Sequence, residues 1–354
     1  MSIKTLPTIL CATATALALS ACGSSSPAPS QTPTSAPEPA ATHSASPTAE
    51  EPTTDTDLAA MTTQPMRGLI IEESRRDDTV VRALDPATGT TVAARIFPDD
   101  DSLTPTLNGC PYNRCYSHDY SYMIMRQSRI NEQLLFHIGY LDATGTFTDV
   151  SAMIPVDPGY SSVDDDAYSF SADGYFYMRR NYTQTEGSTS RYYRLKPGDK
   201  APELVKETSP SDSNEHAFNL LAGTTLTTNS TLQFARTNDN TAYCWHLADA
   251  ISSTNTCYRL TKDKGLFSFP ATAEPNDTTS APETTIFRPT EFSVPEFDTM
   301  PLISPDDKQL AFMMATDKNS PFALHIVNVD GSGERTITPD THPFNRLLPI
   351  AWRS

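Results

Sequence analysis

Five times along this chain a β-rich run enters a short turn that closes on glycine, and another β-rich run leaves it. The turns are Leu84-Asp85-Pro86-Ala87-Thr88-Gly89, Leu141-Asp142-Ala143-Thr144-Gly145, Leu195-Lys196-Pro197-Gly198, Thr261-Lys262-Asp263-Lys264-Gly265 and Val329-Asp330-Gly331-Ser332-Gly333. Glycine accepts the positive φ that a tight hairpin needs, so each turn predicts two antiparallel strands. The closing glycines lie 56, 53, 67 and 68 residues apart, a spacing that points to a repeated supersecondary unit. Helical periodicity is nearly absent, and short runs of Tyr, Phe, Val, Ile and Thr dominate.

A second signal precedes several of these turns. Tyr116-Ser117-His118-Asp119-Tyr120, Phe170-Ser171-Ala172-Asp173-Gly174 and Ile303-Ser304-Pro305-Asp306-Asp307 each end a strand in Ser and begin a turn led by Asp. The Asp side chain can satisfy backbone N–H groups inside such a turn. With these residues the chain resembles the TolB-type, WD-like propeller repeat. Residues 303–338 match best, and the copies at 116 and 170 keep Ser and Asp but lose Pro. In the fourth repeat Leu220-Leu221-Ala222-Gly223 stands where the motif belongs, and Trp245 to Asn255 reads as an extra excursion. The C-terminal Leu347-Leu348-Pro349-Ile350-Ala351-Trp352 looks like a strand with nothing after it. In a propeller such a strand completes the first blade and removes a free edge. The resemblance thus implies an all-β fold over residues 66–354: a β-propeller of five four-stranded blades, with the ring closed by the C-terminal strand. Six blades are the alternative if Ala271–Phe297, read here as a long surface insertion, hides another.

The N-terminus gives an address. Lys4 precedes an uncharged apolar stretch from Leu6 to Leu19, and Leu19-Ser20-Ala21-Cys22 follows. This is the layout of a secretory signal. Its last four residues resemble the bacterial lipobox, which implies a signal peptide over residues 1–21 and lipidation of Cys22. The protein is then expected on the extracytoplasmic face of the cell membrane, held by its lipid. Residues 22–65 are Ser, Pro, Ala and Thr with few apolar groups, and predict a disordered stalk. Formal charge is −17. Removing Lys4 and the stalk acids Glu38, Glu50, Glu51, Asp55 and Asp57 leaves −13 on the folded part. Such acidity disfavours nucleic acid and direct membrane adsorption. Cys110, Cys115, Cys244 and Cys257 remain after export. Four cysteines allow three connectivities; proximity favours structural disulfides Cys110–Cys115 and Cys244–Cys257, with a zinc site as the rival.

No catalytic string is present: no G-x-S-x-G, H-E-x-x-H, P-loop or G-x-G-x-x-G. His137, His246 and His325 fall in strand patterns and read as packed or exposed strand histidines, ahead of ligands or bases. Asp99-Asp100-Asp101 and Asp164-Asp165-Asp166 are placed in connections between blades, as solvated charge or as oxygens for Ca²⁺. Tyr112, Tyr116, Tyr160 and Tyr168 lie near the same loops, either as a sticky rim for a ligand or as strand-edge packing. The expectation is a non-enzymatic scaffold lipoprotein that binds an envelope protein, a peptide or a wall polymer and needs no cofactor. The alternative is a glycan- or peptide-processing enzyme whose site is a central funnel with paired carboxylates of raised pKa.

Overall fold

A computed structural model describes residues 54–354 except 106–114, 129–135, 158, 160–161, 172, 185–186, 209–224, 230, 236–243, 245–249, 272–281, 296–299, 318–319 and 340–345. Cys22, the signal peptide, Cys110, Tyr112, Tyr160 and His246 lie outside the described residues. Among the described residues no helix is long and apolar enough to cross a membrane.

The described residues are almost wholly β. The first sheet holds β1 (Gly68–Ser74), β2 (Asp78–Leu84) and β3 (Thr91–Pro98). The second holds β4 (Leu103–Pro105), β5 (Tyr122–Ser128), β6 (Phe136–Asp142) and β7 (Phe147–Asp149). The third is β8 (Ser162–Phe170), β9 (Phe176–Gln184), β10 (Gly187–Leu195) and β11 (Glu203–Thr208). A separate hairpin of β12 (Thr225–Asn229) and β13 (Thr231–Ala235) follows. The fourth sheet is β14 (Ala250–Ile251), β15 (Thr256–Thr261), β16 (Gly265–Pro270) and β17 (Thr284–Phe287). The fifth is β18 (Leu302–Ile303), β19 (Gln309–Met314), β20 (Ala323–Asn328) and β21 (Arg335–Ile337). The last strand, β22 (Arg346–Arg353), pairs antiparallel with β1, from Gly68↔Arg353 to Ser74↔Arg346, and gives the first sheet its fourth strand.

The serine turn is the most regular local feature. Ser117, Ser171, Ser252 and Ser304 are all buried. Each carbonyl accepts from the N–H three residues on, in Tyr120, Gly174, Asn255 and Asp307 at 2.9–3.2 Å. Those four residues all have positive φ, and three of them are the non-glycine residues in that region among the described residues. Each serine hydroxyl also accepts from a backbone N–H of the outgoing strand: Tyr122, Tyr175, Thr256 and Gln309. Ser117, Ser171 and Ser304 donate to the Asp two positions on. In the fourth copy Thr254 takes the place of that Asp, its hydroxyl 2.9 Å from Ser252.

Four sequence expectations change here. The fourth serine turn is Ser252-Ser253-Thr254-Asn255, so the stretch up to Asn255 read as an excursion contains β14 and its turn. The Thr261–Gly265 hairpin joins the second and third strands of its sheet, whereas the other four glycine hairpins join the third and fourth. The region read as an insertion contributes β17 to the edge of the fourth sheet. The end of the segment read as stalk also folds. Asp55–Ala60 form a short helix capped by Thr54. Leu58 and Met61, nearly the only large apolar groups there, pack with Val80, Ala94 and Ile96.

Side-chain packing links the sheets. Ile70, Val81 and Phe97 share a core with Ile124, Tyr140, Phe170 and Phe176, joining sheets one, two and three. Leu69, Ile71 and Leu84 meet Ala311, Leu324 and Ile326, joining sheets one and five. Tyr258 and Leu266 meet Leu310, Phe312 and Val327, joining sheets four and five. Two of the glycine hairpins lie tight against a neighbouring sheet. A Cβ at Gly89 would stand 2.7 Å from Ile337 Cγ2, and one at Gly331 would stand 2.7 Å from the Ile286 carbonyl oxygen. Both residues also have positive φ, so glycine is required twice over.

Candidate functional site

The acidic run of β8 is divided by the alternation of a strand. Register pairs Asp164, Asp165 and Asp166 of β8 with Asn181, Arg180 and Arg179 of β9. Successive side chains point to opposite faces, so Asp165 and Arg180 occupy one face, while Asp164, Asp166, Arg179 and Asn181 occupy the other.

The Asp165 face forms a dry seam against the second sheet. Arg180 and Asp165 are buried and make two hydrogen bonds of 2.7 Å. Arg180 also donates to the carbonyls of Ile154 (2.7 Å) and Ser151 (2.9 Å), which follow the second sheet. Burial pushes the Asp165 carboxyl up, and the Arg180 contacts offset only part of that rise. Burial likewise opposes the guanidinium charge, and Asp165 more than restores it. Nearby, His137 Nδ1 lies 2.8 Å from Asp149 Oδ2. Ser, His and Asp therefore meet, yet they do not form a nucleophilic triad. Ser151 is 1% exposed and its hydroxyl accepts from the Ile138 N–H at 2.8 Å, which leaves no approach for a substrate.

The opposite face is open and polar. Arg179 donates to Asp166 at 2.7 Å, with side-chain exposures of 20% and 41%. Asn181 donates to the same carboxylate at 3.1 Å and accepts from the Ser190 hydroxyl of β10 at 2.7 Å. Asp164 is exposed. Its carboxyl lies above the ordinary aspartate range, because partial burial and then the charges of Asp166 and Asp165 disfavour ionisation. A carboxyl pushed up from its ordinary value beside one paired with an arginine is the kind of asymmetric pair used for general acid and base work. The hydroxyl and amide ladder supplies donors and acceptors for a polar ligand.

One of the two acidic runs differs from its expected placement. Asp164–Asp166 lie within a strand, two of them matched by arginines. Asp99–Asp101 do form a connection, where Asp100 Oδ1 accepts from the Ser102 N–H at 2.8 Å. Among the described residues no group of three or more His, Cys, Asp or Glu is placed to hold a metal ion. Cys244 and Cys257 form a disulfide with Cα atoms 5.8 Å apart. Cys115 is also disulfide-bonded. Tyr116 is buried and donates to Glu72 at 2.7 Å, so it is packing between sheets and no ligand rim. Sequence reasoning missed Arg179, Arg180 and Asn181. The signal was available: Asp164-Asp165-Asp166 and Arg179-Arg180-Asn181 stand symmetrically about the Ser171 turn.

No protein-family model and no curated protein matches the sequence. Among solved structures the chain is similar to a puromycin hydrolase at 13% identity and TM-score 0.24, covering 81% of this chain and 41% of that one. It is similar to an oligogalacturonate lyase in complex with manganese at 10% identity and TM-score 0.26, covering 77% and 74%. The third is the AtxE2 isopeptidase, at 10% identity and TM-score 0.29, covering 83% and 54%. The chain therefore spans about two fifths of the length of the hydrolase. Against the expectation of a non-enzyme, each of these neighbours is by its description an enzyme.

Proposed function

We propose that the folded part is a five-bladed propeller enzyme, exported and anchored through Cys22, that processes a glycan or a peptide at the carboxylates of β8. The ring is supported by the order of packing, in which sheet five lies beside sheet one and β22 of the C-terminus completes the first sheet. In a propeller an edge strand such as β8 stands at the inner rim, where loops and strand ends surround a funnel. The observation that carries the reading is the placement on one strand face of Asp164, whose carboxyl is pushed up, beside Arg179-bound Asp166.

Asp164 gives its proton to the leaving group, and the Asp166 carboxylate takes one from the attacking water. The bond opens with water added across it, and solvent resets the two carboxyls. Each proton-transfer group of this kind contributes about 10²–10⁴-fold to rate.

The test uses the full chain purified in detergent, assayed against cell-wall glycan fragments and a peptide library. Turnover that falls about 100-fold or more in Asp164→Asn and in Asp166→Asn, with unchanged melting, supports the reading. Absence of turnover on every substrate, or full activity in both variants, rejects it. Mass spectrometry of the N-terminal peptide tests the anchor: acylated Cys22 in the membrane fraction and release of Cys22→Ala into the medium are expected.

A further inference from the structure

Each four-stranded sheet is bounded by two edge strands, and a bare edge is a template for pairing with another chain. Most of these edges are blunted. β4, β7, β14, β17, β18 and β21 are two to four residues long. β8 carries three Asp, β11 carries Glu203, Lys206 and Glu207, and β22 is interrupted by Pro349. β3 differs from all of them. It runs for eight residues with Arg95 as its one charge, and its Val92 is 45% exposed.

The segment that precedes β1 crosses this one long edge. Leu58 is buried against Val80 and Ala94, whereas Met66 lies in the core that holds Val81, Ala93 and Phe97. Val80 and Val81 are neighbours in β2 and face opposite ways, so residues 58–66 wrap around β3 from one face of the sheet to the other. Backbone groups meet at the edge itself. The Ala94 N–H points away from β2 and donates to the Met61 carbonyl at 3.4 Å. The Ala94 carbonyl faces the same way and accepts from Arg95 Nη1 at 2.8 Å, while Nη2 of that guanidinium donates to the Gln64 carbonyl at 3.1 Å. The charge of β3 is thereby spent on fastening the segment. We propose that residues 58–66 are an edge strap, which keeps β3 from pairing with β3 of a second copy of this chain. A second copy is the natural occupant, because an antiparallel edge pairs with itself about a two-fold axis and needs no other sequence.

Leu58→Asp in the full chain, purified in detergent, removes the apolar anchor of the strap. Hydrogen exchange of residues 58–66 and of the Ala94 N–H should then speed up about tenfold or more, with β5 and β6 protected as before. Sedimentation should show a concentration-dependent dimer where the wild type is a monomer. Adding Val92→Lys places a charge on the freed edge and should restore the monomer. Arg95→Ala leaves the anchor in place and removes the fastening, so it should give both effects more weakly, including where Leu58→Asp does not fold. A wild-type dimer, a released strap on a protein that stays monomeric, unchanged exchange of residues 58–66 in both variants, or a dimer that Val92→Lys does not dissolve overturns the proposal.

Discussion

At the scale of the residue, one hydroxyl organises each serine turn. Ser304 Oγ accepts from the N–H groups of Lys308 (3.1 Å) and Gln309 (2.9 Å) and donates to Asp306 (2.7 Å). Ser304→Ala leaves two backbone donors of a buried turn without this acceptor, at about 1–2 kcal/mol in total. Urea unfolding of the variant at pH 7 measures the loss. The same turn carries a pH signature. The hydrogen bond from Ser304 is the main cause that holds Asp306 below the ordinary aspartate range, with Lys308 contributing against a small burial effect. At Asp119, burial is outweighed by the hydrogen bonds of Ser117 and Ser121. A depressed carboxyl contributes stability that is complete above the unfolded value, about 3.9, and is lost as pH falls through the folded one. Wild-type stability should therefore decline from about pH 4 downward, and Ser304→Ala should decline less steeply over the same range.

At the scale of the element, the seam between the second and third sheets depends on one guanidinium. Arg180→Met strands the buried Asp165 carboxylate and frees two carbonyls, Ile154 and Ser151, at a cost of about 3–5 kcal/mol. The double variant Arg180→Met with Asp165→Leu should recover much of that, because no charge is left buried; denaturant midpoints of the two proteins decide. This seam also marks how far the sequence could be read. The strands around the glycine hairpins and the serine turns at 117, 171 and 304 were legible, since local hydrogen bonding demands those residue types. The turn at Ser252 was not, because Thr254 performs with a hydroxyl what Asp performs elsewhere. The third sheet's polar face was hidden for a different reason. Three adjacent Asp read as a solvated loop until β9 supplies Arg179 and Arg180 across from them, and that pairing depends on a register fixed by the turn between. Chemistry built from facing strands leaves no contiguous string to find.

At the scale of the whole molecule, the C-terminal strand joins β1, and its removal distinguishes a ring from an open stack. Deleting residues 346–354 takes away Leu348 and Ile350, which are 5% and 1% exposed in the core shared by the first three sheets. Burying two such side chains contributes about 3–6 kcal/mol, comparable with a domain's entire net stability of about 5–15 kcal/mol. The deletion also bares the edge of β1, a template for aggregation. Arg353 leaves as well, and with it the guanidinium that lies 4.7 Å from the Tyr120 ring and donates to the His118 carbonyl of the second sheet. In an open stack each unit leans only on its neighbours, so damage at the first sheet would spare the fourth. In a ring the fourth sheet is held from both sides through the others, and opening the circle weakens it too. Hydrogen exchange of β15 and β16, measured in the wild type and the truncated protein, separates the two cases. We expect protection there to fall together with that of β1 and β2, and to return when a peptide spanning 340–354 is added. Protection retained in β15 and β16 while the first sheet exchanges freely would show an open array, in which β22 seals one sheet and nothing more.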